Sequence, residues 1–558
     1  MSYNILIGGA AGQGVETVSA VFERIIKRQG FEVFTIRDYM SRVRGGHNFI
    51  QVRFDREKIY SHIEELDGII AMNDETIANH IERLNSNGFI ICDEEIDYED
   101  SRILKLPLKQ AAKASGNVKT FGSVAIGSVL ELLGISNIAG EKVLKEFFSE
   151  EIANQNYSAV QAGSNLVSKR FDTIAATKDN NILINGNEAI ALGTLASGCK
   201  FYSAYPMTPS TSIMNYLAAK MNAAEIVVEQ AEDEIAAINM AIGASYAGAR
   251  AMTGTSGGGF SLMVEGLGLS GMLEVPLVIA EVQRPGPTTG FPTRTEQSDL
   301  RFVISASQGE FPRMVIALRN VEDAFYQTIR AFNIADKYQI PVILLSDQFL
   351  ADSTVTIKPF DFDNIKNDSS ISSYEFSSDK PYKRYEITPS GISPRLIPGQ
   401  NPRVTVLVDS DEHDESGHIT ESAAVRNQMV SKRMRKLEIL KEELQEPLFI
   451  GEEDCEVLIL AWGSALGPVT EAISRLNQHK DKKYGALVFG DIWPLPVKLL
   501  LEKVKRSKRI INVEQNATGQ LASIISEITG ILCDSSILKF DGRPMSSQYI
   551  YSKVRGME

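Results

Sequence analysis

The amino-terminal stretch YNILIGGAAGQGVETVSAVFERIIKRQG constrains the fold most, because an apolar run, a glycine turn and a helical pattern follow one another without a break. Further apolar runs (EVFTI, FIQVRF, GIIAM, GFIICD) alternate with helical patterns, which predicts a parallel α/β unit. The alternation returns twice. One instance runs from GNEAIALGTLASGC through PLVIAEV, RMVIAL and PVILLSD. The other fills the last hundred residues with CEVLILAWGS, YGALVFGDIWPLP and RIINVEQNATGQ. A chain of 558 residues exceeds what one core organises, so a multidomain α/β protein is expected.

Polar, turn-rich TKDNN marks a first boundary, giving an α/β domain over residues 1–178 and a second over 182–360. Residues 361–450 are rich in Ser, Asp and Pro. They read as a connecting excursion closed by one amphipathic helix, SKRMRKLEILKEELQE. Residues 451–558 form the last compact domain.

A net charge of −14 argues against a nucleic-acid surface, which needs clustered Lys and Arg. The most apolar segment, LGLSGMLEVPLVIA, is broken by Glu274 and Pro276, so no membrane span is expected. The first residues run straight into a strand with no basic leader, which predicts a cytoplasmic protein. Cys92, Cys199, Cys455 and Cys533 lie far apart, so neither a disulfide framework nor an iron–sulfur cluster is expected from this chain. Any electron carrier would then belong to another chain. DEHDESGHITE holds His413 and His418 among acids without helical His spacing; a solvated loop is expected there, and no metal site.

Six motifs carry possible chemistry. GGAAGQG has the order G-x-x-G-x-G rather than the dinucleotide order, so Gly12, Gln13 and Gly14 fit either an anion-binding turn or a merely tight one. Arg42 and Arg44 of SRVRGGHNF match phosphate geometry or, equally, a subunit contact. YPMTPST brackets Thr208 with two prolines at a helix start. TGTSGGGFSLM reads as a glycine-rich turn where backbone could approach a ligand. QRPGPTTGFPTRTEQSDL follows a strand end and carries arginines and threonines suited to a carboxylate, although a solvated loop has a similar composition. The acids of EQAEDEIAAI (Glu229, Glu232, Asp233, Glu234) precede an apolar run, so either they solvate a helix start or one of them turns inward.

In this order, YPMTPST, EQAEDEIAAINMAIGAS, TSGGGFSLM and QRPGPTTGFPTRTEQSDL resemble the α subunit of the 2-oxoacid:ferredoxin oxidoreductases. GGAAGQG with VRGGHNF is similar to the family's γ domain, here fused in front, and VEQNATGQLA with FDGRP to the end of its last domain. The resemblance implies a γ domain, a transketolase-like pyrimidine-type domain and a transketolase-C-terminal-like domain. It implies thiamin diphosphate shared with a β subunit that holds Mg²⁺ and a [4Fe–4S] cluster, with CoA as cosubstrate and ferredoxin as acceptor, in an (αβ)₂ complex. Glu234, nine residues before Gly243, matches the family's proton-exchanging glutamate. Thr208, Arg284 and Thr293 match substrate contacts; Tyr205, Pro206, Ser256 and Gly257 match cofactor contacts; and Gly12, Gln13, Gly14, Arg42 and Arg44 form a CoA group. Gly258 departs from the proline common in relatives, which puts the shape of that turn in question. The 2-oxoglutarate branch fits GPTTGFPTRTEQ best; pyruvate, branched-chain 2-oxoacids and a purely assembling subunit stay open.

Overall fold

A computed structural model of the chain describes residues 2–41, 45–173, 180–368, 381–479 and 482–557. Two compact units divide it: Met1–Ile184 with Asp352–Pro359 and Ser546–Gln548, and Asn185–Ala351 with Phe360–Met545 and Tyr549–Glu558. Both are α/β, as the alternating pattern predicts.

The first unit is built on an eight-stranded sheet that is mixed rather than parallel. Tyr3–Ala10 runs parallel to Leu66–Ala71 but antiparallel to His47–Asp55, which is itself antiparallel to Glu32–Asp38. The reason lies in the connection. EVFTI and FIQVRF are joined by residues 39–46, too few for the helical crossover that parallel neighbours need. The sheet also takes in Thr354–Ile357, antiparallel to Glu32–Asp38, an addition that local pattern cannot foresee. Ile5, Ile7, Phe22, Phe54, Val124 and Val160 share the core beneath it. Helices Phe121–Leu132 and Glu150–Ser164 cross at Gly127 and Gly163. A Cβ on either would lie 1.9 Å from a carbonyl oxygen of the other helix, so only glycine permits this approach.

In the second unit a seven-stranded sheet has the order Asp491–Trp493, Met314–Ala317, Pro341–Asp347, Leu277–Gln283, Ala251–Thr255, Phe201–Ala204, Val227–Gln230. All strands are parallel except the edge strand Asp491–Trp493. Burial on both faces accounts for the continuous apolar runs PLVIAEV and PVILLSD. A five-stranded sheet follows, built on Val457–Trp462, with parallel neighbours Tyr484–Phe489 and Arg509–Glu514. Phe260, Ile279, Val315, Leu458, Leu487 and Ile510 belong to one cluster, so the two sheets of this unit share a core.

Helix Ala423–Leu440 differs from the amphipathic helix expected there, because its inner face is charged. Lys432 and Lys436 are fully buried, and both ammonium groups meet the Glu274 carboxylate, at 2.6 and 2.5 Å. Lys436 Nζ also donates to the Gln339 carbonyl, while Arg384 donates to the Leu273 and Glu274 carbonyls. These carbonyls end helices Gly257–Leu273 and Val321–Tyr338, where cations complement the helix dipole. His413, expected in a solvated loop, is instead buried and packs at a tilt against Tyr385 with ring centroids 3.9 Å apart. Among the described residues no cluster of His, Cys, Asp and Glu could hold a metal ion, and no helix is long and apolar enough to cross a membrane.

Candidate functional site

Four adjacent parallel strands of the second unit end on the same side, where α/β folds bind ligands. Tyr205, Pro206 and Thr208 follow Phe201–Ala204, and Glu234 follows Val227–Gln230. Ser256 and Gly257 follow Ala251–Thr255, and Arg284 follows Leu277–Gln283. Tyr205 is 41% exposed, whereas Glu234 and Ser256 are buried and the others half-buried.

Helix Glu234–Tyr246 starts at a cap supplied by Asp233, whose carboxylate accepts from Ala236 N at 2.7 Å. Capping satisfies a helix-start amide and leaves the next carboxylate free for another role. Glu229, Glu232 and Asp233 are exposed, whereas Glu234 is only 3% exposed. Its Oε1 is buried without a hydrogen-bond partner, and so is the Ser256 hydroxyl. Leaving a buried carboxylate oxygen unpaired costs free energy, so such an atom points to a partner from outside the chain.

GGG of TSGGGFSLM is not the turn expected from its composition; it forms the first turn of helix Gly257–Leu273. The glycines are required by their neighbours. A Cβ on Gly259 would lie 2.2 Å from Thr255 Oγ1 and 2.4 Å from Glu234 Oε1, and one on Gly257 would lie 2.3 Å from Asp299 Oδ2. Gly258 has more room, with the Thr288 carbonyl at 3.6 Å and Met207 Cε at 3.9 Å. Gly259 thus makes the space that Glu234 occupies, a role that spacing in the sequence does not reveal.

Arg284 Nη1 donates to the Thr208 carbonyl at 2.7 Å, joining two of the sequence-predicted substrate residues directly. The half-buried guanidinium forms no ion pair among the described residues. Burial lowers its pKa and nearby Asp299 opposes that shift. A guanidinium fork with one backbone acceptor and no carboxylate partner is suited to receive a carboxylate. Thr293 is buried further along the same loop, where its carbonyl accepts Arg294 Nη1 at 3.4 Å; it does not share the Arg284–Thr208 bond.

Beneath Arg284 lies an acid cluster that sequence reading missed, since its members come from three separate segments. Glu281 is fully buried; among the described residues no amide, hydroxyl or cation donates to either oxygen, and its hydrogen-bonding neighbour is the Asp299 carboxyl. Burial raises its pKa well above the carboxylate range, and Asp299 and Asp347 raise it further. Burial also lifts Asp299 and Asp347 to about 6, although Ser464 Oγ donates to Asp347 at 2.5 Å. Groups whose folded pKa is raised contribute stability that is complete at low pH and lost as pH rises through the folded value. The unfolded carboxyls ionise near pH 4. Melting temperature should therefore fall as pH rises from about 4 through 6 and beyond. Glu281→Gln should lose less melting temperature than the native chain between pH 5 and pH 8, as followed by circular dichroism. An identical pH slope would contradict this.

In the first unit Gly12 and Gly14 have φ of +95° and +88°, so the turn itself requires glycine. Gln13 folds back on that turn, accepting from Ala10 N at 2.7 Å. A cavity of about 380 Å³ beside it is lined by Gly14, Thr17, Lys119, Ser123, Phe148 and Asn156 among others. Arg42 and Arg44 lie outside the described residues.

Residues 192–432 match the family model "Pyruvate flavodoxin/ferredoxin oxidoreductase, thiamine diP-bdg", and residues 4–166 match "Pyruvate ferredoxin/flavodoxin oxidoreductase". A 2-oxoacid:ferredoxin oxidoreductase subunit alpha from Sulfolobus sp is 33% identical over 98% of this chain and 95% of its own length. The 2-oxoglutarate synthase subunit KorA of Methanothermobacter marburgensis is 31% identical over 67% of this chain and 98% of its own. The solved 2-oxoglutarate:ferredoxin oxidoreductase from Magnetococcus marinus, with 2-oxoglutarate, coenzyme A and succinyl-CoA bound, superimposes with a TM-score of 0.92. It is 32% identical, and the match covers 100% of this chain and 99% of that one. With relatives of this similarity along almost its whole length, the chain belongs to the alpha subunits of the 2-oxoacid:ferredoxin oxidoreductase family.

Proposed function

We propose that this chain, with a β subunit, catalyses the thiamin-dependent oxidative decarboxylation of a 2-oxoacid to its acyl-CoA and CO₂, passing the electron pair to ferredoxin. The buried, unpartnered Glu234 Oε1 and an Arg284 without an ion pair, on loops at the same end of one parallel sheet, carry this reading. When bound, thiamin diphosphate supplies the carbanion chemistry of the reaction at its thiazolium carbon.

The residues present fit that group. Glu234 Oε1 and Ser256 Oγ are orphaned polar atoms, and Gly259 leaves the clearance for a ring nitrogen to approach the carboxylate. Glu234 would hold and return a proton at Oε1, while Tyr205, Pro206, Ser256 and Gly257 would line the ring. The start of helix Glu234–Tyr246 steadies the carboxylate charge. Arg284, fixed by the Thr208 carbonyl, would take the 2-oxoacid carboxylate, with Thr208 and Thr293 as further substrate contacts.

A partner is supported by the surface around the site. Ile235, Met240 and Leu262 are exposed on helices whose other faces are buried, so a second subunit would cover them. We assign the diphosphate, Mg²⁺ and [4Fe–4S] cluster to that β subunit, in a cytoplasmic (αβ)₂ complex. The γ-type first unit would serve CoA, through Gly12, Gln13, Gly14, Arg42 and Arg44, with the cavity beside Gln13 and Gly14 as its space.

2-Oxoglutarate is the proposed substrate. With the β subunit coexpressed, CoA-dependent dye reduction should give the highest kcat/KM for 2-oxoglutarate against pyruvate and branched-chain 2-oxoacids. Turnover of none of them would overturn the function, and preference for another would overturn the substrate. Purified alone, the chain should be colourless and inactive; stoichiometric iron or turnover in that state would contradict the division of labour.

A further inference from the structure

Two motifs remain without a role, VEQNATGQ (513–520) and FDGRP (540–544). Both meet the second half of the loop that begins at Arg284. Gln297 is fully buried, and all of its polar groups are paired with the carboxyl ends of Val457–Trp462 and Arg509–Glu514. Its backbone N donates to the Gln515 carbonyl at 2.7 Å, and its carbonyl accepts from Asn516 Nδ2 at 3.1 Å. Its side chain accepts from Gln515 N at 3.3 Å and donates to the Trp462 carbonyl at 3.0 Å. Gln520 adds a second clamp, donating to the Ser298 carbonyl at 2.6 Å and accepting from Arg301 N at 2.9 Å.

The seat for this loop is itself rigid. Glu514 is buried and accepts from Trp462 Nε1, Asn512 Nδ2, Asn516 Nδ2 and the amides of Leu521 and Ala522. Gly542 of FDGRP, at φ +73°, admits Phe291 and Arg294: a Cβ there would lie 3.0 Å from Phe291 Cδ2 and 3.2 Å from Arg294 Cβ. Gly542 also accepts from Thr295 N at 3.4 Å. The loop's far end is tied back to the strand that launches it, where Gln283 Oε1 accepts from Asp299 N at 3.0 Å.

We infer that VEQNATGQ and FDGRP are the seat of the substrate loop, and that Gln297 and Gln520 are positioning residues that set 2-oxoacid affinity through Arg284 and Thr293 without touching the substrate. This rests on the functional reading above. A site whose supporting contacts loosen loses binding geometry before it loses chemistry.

The test uses the αβ complex with Gln297→Met and Gln520→Met, which keep side-chain length and remove the side-chain hydrogen bonds of each clamp. Each should raise KM for the 2-oxoacid about tenfold while changing kcat, KM for CoA and thiamin diphosphate affinity less than twofold. Gln520 is half-buried, so its variant is the one expected to keep its melting temperature. A lower melting temperature with unchanged KM in both variants would mean a merely structural clamp and overturn the proposal. Arg284→Ala run alongside separates the two levels. If it raises KM and neither glutamine variant does, this proposal alone fails. If Arg284→Ala also leaves KM unchanged, the functional reading fails and this inference with it.

Discussion

Glu234→Gln should lower kcat of the αβ complex by roughly 10²–10⁴, the usual worth of a positioned acid–base group, while leaving assembly and substrate KM close to native. The amide has the carboxylate's shape, so the buried position stays filled and Gly259 still clears it. What it loses is the ability to exchange a proton at Oε1, the one buried oxygen of that helix start without a partner. Glu232→Gln should cost far less, because that side chain is exposed. Asp233→Asn should also cost little, since asparagine caps helices as well as aspartate does and Ala236 N keeps its acceptor. Equal losses for all three would indicate a general electrostatic effect. Normal turnover of Glu234→Gln would remove the assignment.

Arg284→Ala should raise the KM for the 2-oxoacid by roughly 10- to 150-fold, corresponding to the ~1.5–3 kcal/mol of a charge-assisted hydrogen bond. The guanidinium forms no ion pair among the described residues, and only the nearby Asp299 offsets its charge, so the fork is open to a bound carboxylate. Arg284→Lys should recover only part of the loss, because an ammonium keeps the charge but not the fork. Thr293→Ala should act in the same direction more weakly. Substrate saturation curves that overlay the native one would refute the carboxylate role.

Much of the fold class was legible in the sequence, because parallel buried strands write themselves as apolar runs ended by turn residues. The mixed sheet of the first unit was less so. A hairpin and the remote strand Thr354–Ile357 are choices of pairing, which strand composition does not encode. Glu234 was proposed through the family resemblance, which counts back from Gly243, and of the four acids it is the buried one. Its setting was not legible. Gly257 and Gly259 serve Asp299 and Glu234, residues far from them in the chain, so composition suggested a loose turn where a helix begins. The Glu281–Asp299–Asp347 cluster and the Gln297 clamp have the same origin, contacts between segments with no shared spacing. The charged inner face of Ala423–Leu440 misled for a different reason. Buried lysines are rare because they must be paired, and their partner Glu274 lies on another helix end.

The most direct test of the account is hydrogen–deuterium exchange at the thiazolium carbon of thiamin diphosphate bound to the αβ complex, followed by quenched-flow proton NMR without 2-oxoacid. Proton exchange at that carbon isolates the role given to Glu234 from substrate binding, electron transfer and CoA. The account predicts that Glu234→Gln slows exchange by roughly 10²–10⁴ with the cofactor still bound, in step with its loss of kcat. Exchange at the native rate in that variant would contradict it.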